Sequence, residues 1–246
     1  MLRRWLGPLL GDRNTPEDWQ RQNPSKPFKD YFAQAVAAKL ARGREHASLG
    51  GNLRDETFGD SGRRMFGRLR KYGLKSSDTC IDYGCGTLRV GIHVINHLEP
   101  GAYWGLDISD VLLERGRTLV GDRLWQEKQP NLRVISPESV AEVSALKPAM
   151  LFSIKVLIHV HPTELPEYFE NIMKIVGPSG QAIITGKWSE RETTRTSDLS
   201  WAHSVAVMQE LVSKLGGTIT VLKAKGTAGG PLMQGDIRVA LAQAAG

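Results

Sequence analysis

Cysteine is scarce in this chain, and its scarcity excludes two classes of protein. Only Cys80 and Cys85 are cysteines among the 246 residues, too few for the disulfide framework of a small secreted domain. Their positions also lack metal-ligand spacing, because Cys80 falls in an expected strand and Cys85 in an expected loop. We therefore predict a cytoplasmic protein in a reducing compartment.

Long apolar runs are also missing near the start of the sequence. Arg3 and Arg4 precede an apolar stretch at residues 5–10, which Gly7 and Pro8 interrupt. A membrane span needs roughly 20 apolar residues, and the core of a secretory signal needs roughly 7 to 15. We expect no stable membrane insertion, and the residues leave open either a weak surface attachment or a disordered tail.

Positive charge is concentrated at one end of the chain. Residues 1–76 contain 16 Lys and Arg against 8 Asp and Glu, whereas residues 77–246 contain 16 against 18. The length and a hydrophobic content of 41% suffice for one large α/β core with a small helical appendage. We predict an N-terminal arm and helical lid over residues 1–76 and a single large domain over residues 77–246.

A Gly-x-Gly motif followed by a distant aspartate is the most informative pattern in the sequence. An apolar run ends at Gly84-Cys85-Gly86, and Asp107 closes the next apolar run. Glycines let a strand turn directly into a helix at positive φ, and they let a ligand approach without a Cβ in the way. An aspartate at the next strand end can accept hydrogen bonds from both hydroxyls of a ribose. The pattern predicts a nucleoside cofactor.

The residue at position 89 distinguishes between the possible nucleoside cofactors. A dinucleotide fingerprint would continue to a third glycine, but Arg89 stands at that position. A large side chain there opposes the close packing of helix and strand that the third glycine permits. This disfavours a nicotinamide oxidoreductase, which stays an alternative.

Strands and helices alternate from residue 77 onward, which predicts a parallel sheet with helices on both faces. Too few residues separate the last two strands for a parallel crossover, so these strands should pair antiparallel at the sheet edge. We predict a doubly wound, mostly parallel α/β sheet of seven strands, at residues 79–83, 102–107, 132–135, 150–154, 181–186, 218–223 and 237–242.

The segment Asp82-Tyr83-Gly84-Cys85-Gly86-Thr87, together with Asp107, resembles the first two cofactor motifs of class I S-adenosylmethionine-dependent methyltransferases of the small-molecule type. The resemblance extends in element order from Ser77 to the C-terminus, and it implies a Rossmann-like methyltransferase fold whose last strand is antiparallel. It also implies that S-adenosyl-L-methionine lies with its methionine end on residues 82–86 and its ribose on Asp107.

The resemblance makes residues 77–246 the cofactor-binding catalytic domain. The family often has an acidic residue after the third strand that meets the adenine amino group, where this chain reads Ser136-Pro137-Glu138. Ser136 or Glu138 is therefore the candidate for that contact. The candidate cofactor-binding residues are Asp82, Tyr83, Gly84, Cys85, Gly86, Arg89, Asp107, Ile108, Ser136, Ile154 and Lys155.

The exit of the fourth strand, residues 152–162, is predicted to form the floor of the reaction chamber. It resembles the corresponding segment of many small-molecule methyltransferases, in which an apolar turn and a histidine precede the next helix. It departs from the Asp/Asn-Pro-Pro-Tyr motif of enzymes that methylate a flipped base. It also lacks the acidic cluster that holds magnesium in catechol-type enzymes, so we expect no bound metal.

Histidines near this exit are the candidate catalytic residues. Histidine suits general-base catalysis near neutral pH, and His159 is the first candidate, followed by His161 and then His203. For each of them the alternative is a structural histidine that caps a helix or hydrogen-bonds in the core. Three residues after the fifth strand could line the acceptor pocket or begin a polar surface loop: Trp188, Glu190 and Arg191.

The residues before the glycine motif are expected to form the lid. We predict a loop at residues 14–27, a helix at 28–44, a glycine hinge at 49–52 and a basic amphipathic helix at 56–72. That last helix either packs Met65, Phe66 and Leu69 on the core with a solvated basic face, or presents its arginines to an anionic substrate or to the cofactor carboxylate.

Three functions remain open at this point. The favoured one is metal-independent O-methylation of a small molecule such as an anionic metabolite, a sugar or a natural-product intermediate. The second is methylation of RNA or protein, which the basic N-terminal segment supports, although the charge excess is modest and no RNA-binding module is recognisable. The third is a non-catalytic cofactor-binding protein. The sequence determines neither the acceptor nor the oligomeric state.

Overall fold

A computed structural model describes residues 15–41, 56–226 and 231–242 of the chain. The apolar stretch at residues 5–10 and the predicted glycine hinge at 49–52 lie outside these ranges. Within them, the helices are α1 Pro16–Gln22, α2 Phe28–Ala41, α3 Glu56–Lys71, α4 Gly91–His97, α5 Asp110–Val120, α6 Asp122–Lys128, α7 Pro137–Ala145, α8 Leu165–Val176 and α9 Val205–Lys214, with short 3₁₀ turns at Leu157–His159 and Pro162–Glu164.

The described residues form one sheet of nine strands. These are β1 Cys80–Tyr83, β2 Tyr103–Asp107, β3 Asn131–Val134, β4 Met150–Ile154, β5 Gln181–Ser189, β6 Thr194–Ser197, β7 Ser200–Ser204, β8 Gly217–Gly226 and β9 Leu232–Leu241. Strands β3, β2, β1, β4 and β5 are parallel in that spatial order. Strand β9 then pairs antiparallel with β5, and β8 pairs antiparallel with β9. The predicted doubly wound fold with its antiparallel final strand is confirmed.

The seven predicted strands are present as β1 to β5, β8 and β9, and two strands that were not predicted, β6 and β7, extend the sheet. The two strands form an antiparallel hairpin, and β7 joins β5 in parallel through only two residue pairs, Trp188 with His203 and Ser189 with Ser204. Strand β6 reads Thr-Arg-Thr-Ser and is exposed along its whole length. It therefore lacks the apolar alternation by which a strand is recognised in a sequence.

The predicted loop at residues 14–27 is wrong, because it contains α1. Thr15 and Asp18 form a capping box, in which each side chain accepts the backbone N–H of the other residue. Pro16 occupies the first turn, and the buried Trp19 anchors the helix. Helix α4 begins at Gly91, after Leu88 adopts a positive φ of 63°.

Two apolar cores lie on the two faces of the sheet. One contains side chains of α7, α8 and α9, and the other contains side chains of α3, α4 and α5. A third apolar cluster joins α1 and α2 to β7 and α5. We call α1, α2 and the hairpin of β6 and β7, including the loop between these two strands, the cap. The buried members of this cluster are Trp19, Phe28, Tyr31, Phe32, Val36, Leu112 and Trp201.

Helix α3 packs on the core that also contains side chains of α4 and α5. Met65 and Leu69 are buried with residues of α4, while the basic residues Arg63, Arg64 and Arg70 are exposed. This matches the first of the two interpretations, a helix with a solvated basic face. No described side chain of α3 lines the main cavity, which α2 lines instead.

Among the described residues, no helix has the length and apolar character needed to cross a membrane.

Candidate active site

The main cavity lies at the carboxyl ends of the parallel strands, as expected for a doubly wound sheet. Its volume is about 550 Å³. Its wall combines the ends of β1, β2, β3 and β4 with parts of α2, α5, α8 and the loop that joins β6 to β7. From the predicted cofactor-binding set the wall includes Tyr83, Gly84, Gly86, Arg89, Asp107, Ile108, Ile154 and Lys155.

The glycine loop after β1 adopts the conformation that its sequence predicts. Gly84 and Gly86 have φ values of +82° and +54°, a region that side chains rarely enter. A Cβ built on Gly84 would lie 2.3 Å from Cγ2 of Val156, in the loop after β4. Glycine is therefore required at position 84, because the loops after β1 and β4 contact each other there.

Asp107 ends β2 and presents a buried carboxylate to the cavity. Its Oδ2 accepts the backbone N–H of Gly86 at 2.8 Å, and its Oδ1 accepts that of Ser109 at 3.0 Å. Burial raises the pKa of Asp107 to about 6, against the lowering effect of these amides. The carboxylate is thus largely ionised at neutral pH and retains lone pairs for hydroxyl donors.

Asp82 lies behind the cavity wall rather than in it. Alternation along β1 places it on the same face as Cys80, where its Oδ2 accepts the hydroxyl proton of Tyr103 at 2.7 Å. Burial is the largest cause of a pKa of Asp82 raised to about 8, and the negative charge of Asp107 adds to it. Asp82 is therefore outside the cavity wall, and its contact with the cofactor stays a prediction.

Cys85 and Ser136 are also placed outside the cavity wall. The Cys85 side chain is buried in the core, and its Sγ would lie 3.0 Å from a Cβ on Gly105. The Ser136 hydroxyl caps α7 by accepting the N–H of Ser139 at 3.2 Å. Glu138 in the first turn of α7 is exposed. At this strand end the wall is formed instead by Ile135, which the sequence analysis missed.

Two cations, Arg89 and Lys155, lie in the cavity wall near the glycine loop. The Arg89 guanidinium donates a hydrogen bond to the Ser61 hydroxyl of α3 at 2.8 Å. Burial lowers the pKa of Arg89, which the charge of Asp82 opposes. Lys155 follows β4 with a positive φ of 61°, and its backbone N–H donates to the carbonyl of Thr185 at 2.8 Å.

His159 ends the 3₁₀ turn after β4 and lines the cavity. Its Nδ1 lies 2.7 Å from the carbonyl oxygen of Leu199 in the cap. Because a carbonyl only accepts, Nδ1 carries the proton in the neutral ring, and Nε2 keeps a free lone pair. Burial lowers the pKa of His159, the bond to Leu199 opposes this, and the charge of Lys155 lowers it further.

The other two candidate histidines do not line this cavity. His161 accepts the Thr163 N–H at Nδ1 and stacks on Phe28, with ring centroids 5.1 Å apart, in a separate groove beside the cap. His203 is fully buried, and its Nε2 lies within 3.2 Å of the carbonyls of Leu157 and Val160. Both therefore have a structural role in the loop after β4.

The far end of the cavity is formed mainly by the cap. Lys29 of α2 forms an ion pair with Glu167 at 2.8 Å, and its backbone N–H donates to Glu164 at 2.9 Å. These contacts join α2 to α8. The predicted acceptor residues Trp188, Glu190 and Arg191 are not in this wall. Ile158 and Val160 of the predicted floor are in it, whereas the sequence did not indicate six other residues of the wall: Phe32, Leu112, Ser197, Asp198, Leu199 and Ser200.

No group of His, Cys, Asp and Glu side chains in the described part of the chain is arranged to hold a metal ion.

Solved structures with the same fold include methyltransferases. Magnesium protoporphyrin IX methyltransferase from Synechocystis PCC 6803, crystallised with bound SAM, matches with a TM-score of 0.57 at 16% identity, over 87% of this chain and 95% of the other. Geranyl diphosphate C-methyltransferase from Streptomyces coelicolor A3(2), in complex with Mg²⁺, geranyl diphosphate and S-adenosyl-L-homocysteine, matches with a TM-score of 0.60 at 12% identity, over 89% and 99%.

Comparisons of the sequence with protein families and with curated proteins found no match. The similarity to the two solved structures, at identities this low, concerns the fold. The chain has the Rossmann-like fold of the class I methyltransferases.

Proposed function

We propose that this chain is an S-adenosyl-L-methionine-dependent methyltransferase that acts on a small-molecule acceptor in the cytoplasm. The observation that carries the proposal is the buried carboxylate of Asp107 in the cavity wall, held by the amide of Gly86 in the glycine loop. Solved structures with this fold hold SAM or S-adenosyl-L-homocysteine.

The residues present fit this cofactor. Gly86 lines the cavity with open space where a Cβ would lie, and the cavity of about 550 Å³ is of the size that small-molecule sites have. In the proposal, Asp107 accepts hydrogen bonds from the ribose hydroxyls, and Ile108 and Ile135 contact the adenine. Arg89 pairs with the methionine carboxylate, since it lies beside the glycine loop.

The cofactor, when bound, would supply a methyl group that its sulfonium already activates. The chain then has to orient the acceptor and exclude water from the site. The neutral ring of His159 takes the proton of an acceptor hydroxyl at Nε2, while the Leu199 carbonyl holds the proton on Nδ1. O-methylation is proposed on this ground.

Calorimetric titration tests the cofactor assignment. S-adenosyl-L-homocysteine should bind the wild-type chain and bind at least about tenfold more weakly to Asp107→Asn, because a charge-assisted hydrogen bond is lost. NADH serves as the control ligand and should not bind. Binding of NADH in place of S-adenosyl-L-homocysteine would contradict the proposal and support an oxidoreductase.

Transfer of a labelled methyl group tests the acceptor class. S-adenosylmethionine with a tritiated methyl group is incubated with the chain and an extract separated into small molecules, RNA and protein. Label in the small-molecule fraction supports the proposal. Label in RNA or protein would favour the macromolecular alternative. Label that hot hydriodic acid does not release as methyl iodide would replace oxygen by carbon as the acceptor atom, because that acid cleaves methyl ethers but not carbon–methyl bonds.

A further inference from the structure

Negative charge in the cavity wall is already matched by donors. The wall contains four acidic side chains, and each of them meets a donor within the chain. The pairs are Asp107 with the amides of Gly86 and Ser109, Glu164 with the amide of Lys29, Glu167 with the ammonium of Lys29, and Asp198 with the guanidinium of Arg195.

Among the lysines and arginines of the same wall, Lys29 is paired with Glu167, but Arg89 and Lys155 are not matched in this way. No ion pair joins Arg89 or Lys155 to a carboxylate among the described residues. Asp82 is near Arg89, but burial keeps its carboxyl largely protonated at neutral pH. Burial is the largest cause of a lowered pKa of Lys155, and the charges of Arg89 and Lys187 lower it further, so the Arg89 and Lys155 cations repel each other. An anion bound between them would relieve this repulsion.

The two cations belong to different parts of the cavity. Arg89 follows the glycine loop, where the proposed function places the single carboxylate of the cofactor. Lys155 follows β4 and precedes the turn that carries His159, and its charge contributes to lowering the pKa of that histidine. Lys155 is therefore on the acceptor side of the glycine loop, and the cofactor carries no second anionic group for it.

We propose that the acceptor is an apolar molecule with one anionic group, a carboxylate or a phosphate, and that Lys155 binds this group. The apolar part of the acceptor lies against the apolar side chains of the wall. Three of these residues are next to His159: the ring of Phe32 contacts its ring, the carbonyl of Leu199 bonds to its Nδ1, and Ile158 precedes it in the sequence. This inference rests on the proposed function, because it assigns the cofactor carboxylate to Arg89.

Three ligands of one shape test the anion requirement. The chain is saturated with S-adenosyl-L-homocysteine, and 2-naphthoate, 2-naphthyl phosphate and the neutral 2-naphthamide are titrated in separate calorimetric experiments. We expect one of the anions to bind about threefold to fivefold more tightly than the amide, as an ion pair at an exposed lysine permits. The two anions distinguish a carboxylate acceptor from a phosphate acceptor.

Substitutions at position 155 test the assigned residue. Lys155→Met should remove the preference for the anion and leave the affinity for S-adenosyl-L-homocysteine within about twofold of wild type, whereas Lys155→Arg should keep the preference. Lys174→Met is the matched control, because it removes the same charge from α8 at an exposed residue outside the cavity wall. It should keep the preference.

Several outcomes would overturn the inference. A loss of S-adenosyl-L-homocysteine binding in Lys155→Met would assign Lys155 to the cofactor. Equal binding of the amide and the anions to the wild-type chain, or no binding of either anion, would contradict an anionic acceptor. Failure of S-adenosyl-L-homocysteine to bind the wild-type chain contradicts the proposed function instead, and the same titrations on the free protein then decide whether Lys155 selects an anion.

Discussion

Asp107 titrates in an accessible pH range, because burial raises its pKa to about 6. Ribose hydroxyls favour the ionised carboxylate, which accepts hydrogen bonds with both oxygens. We expect the affinity for S-adenosyl-L-homocysteine to be constant above about pH 7 and to fall below about pH 6, by up to about tenfold for each pH unit. Calorimetric titrations between pH 5 and pH 8 measure this dependence.

Asp107→Asn provides the control for that pH dependence. The amide keeps the size of the side chain but does not titrate. The weaker affinity of this variant for S-adenosyl-L-homocysteine should therefore not fall further below pH 6. A wild-type affinity that stays the same from pH 5 to pH 8 would show that the ionised form of Asp107 is not required.

His159 is expected to act in the reaction and not in cofactor binding. The amide of Asn in His159→Asn can still donate to the Leu199 carbonyl, but it offers no base. We expect the rate of labelled methyl transfer to the acceptor fraction to fall by about 10² to 10⁴, with unchanged affinity for S-adenosyl-L-homocysteine. His161→Asn, outside the cavity, should keep most of the rate.

Equal losses in the two histidine variants would point to the loop as a whole and would contradict a specific role for His159. The same conclusion would follow if His159→Asn transferred the methyl group at the wild-type rate.

The glycine loop after β1 allows a comparison at the scale of one element. Gly84 and Gly86 both have positive φ, but only a Cβ on Gly84 meets Val156, whereas nothing lies within 4 Å of a Cβ on Gly86. We expect Gly86→Ala to lower the free energy of unfolding by about 1 kcal/mol through backbone strain. Gly84→Ala should lower it by roughly 2–4 kcal/mol, since steric overlap adds to strain.

Urea denaturation of both glycine variants measures this difference. If the two alanines cost the same, the contact between the loops after β1 and β4 does not constrain the chain in solution.

Helix α3 is joined to the sheet by a buried carboxylate. Asp236 of β9 is fully buried. Its carboxylate accepts hydrogen bonds from Nη1 of Arg68 at 2.7 Å, from the Tyr72 hydroxyl at 2.7 Å and from the Thr185 hydroxyl at 2.9 Å. Arg68→Met leaves this carboxylate without its cation. We expect the free energy of unfolding to fall by roughly 2–4 kcal/mol, because a buried charge is left unpaired. The loss is smaller than for a fully buried ion pair, since the Arg68 side chain is only partly buried.

A second substitution tests whether the charge is the cause. Adding Asp236→Asn to Arg68→Met removes the unpaired charge and should recover part of the lost stability in urea denaturation. Arg70→Met, at an exposed position of the same helix, should change the stability by less than about 0.5 kcal/mol. No recovery in the double variant would contradict this explanation.

The stability of the whole molecule should depend on Asp82. Its folded pKa of about 8 lies far above that of an unfolded aspartate, so the folded state holds a proton that the unfolded state releases. The contribution of Asp82 to the free energy of unfolding is fully present below about pH 4 and is lost as the pH rises through about 8. Asp107 adds a loss in the same direction only up to about pH 6.

Asp82→Asn isolates that effect between pH 6 and pH 8. The amide oxygen still accepts from Tyr103, but the side chain no longer releases a proton. We expect the stability of Asp82→Asn relative to wild type to increase across this range in urea denaturation, by up to about 1.4 kcal/mol for each pH unit. A difference that stays constant with pH would show that Asp82 is ionised in the folded chain.

At the same scale, the division of the chain at residue 76 stays a prediction. Helix α3 contributes Met65 and Leu69 to a core of the sheet domain, whereas α1 and α2 pack with β7 in the cap. We propose that any lid movement involves the cap and not α3.

The sequence by itself determined the doubly wound sheet and the position of the site. Apolar runs bounded by turns are local signals, so β1 to β5, β8 and β9 are readable, and the Gly84–Gly86 motif with Asp107 lies in the cavity as expected. The capping box of α1 was also present in the sequence, at Thr15 and Asp18, but it was missed.

Only the tertiary structure decided which side chains reach the cavity. The pairing of β1 with β2 directs Asp82 to Tyr103 and away from the wall, and a residue of the cap, Leu199, determines which nitrogen of His159 is free. The hairpin of β6 and β7 is held by the aromatic cluster of the cap, whose members come from distant parts of the chain. Such contacts join residues far apart in sequence, so no local pattern of residue types encodes them.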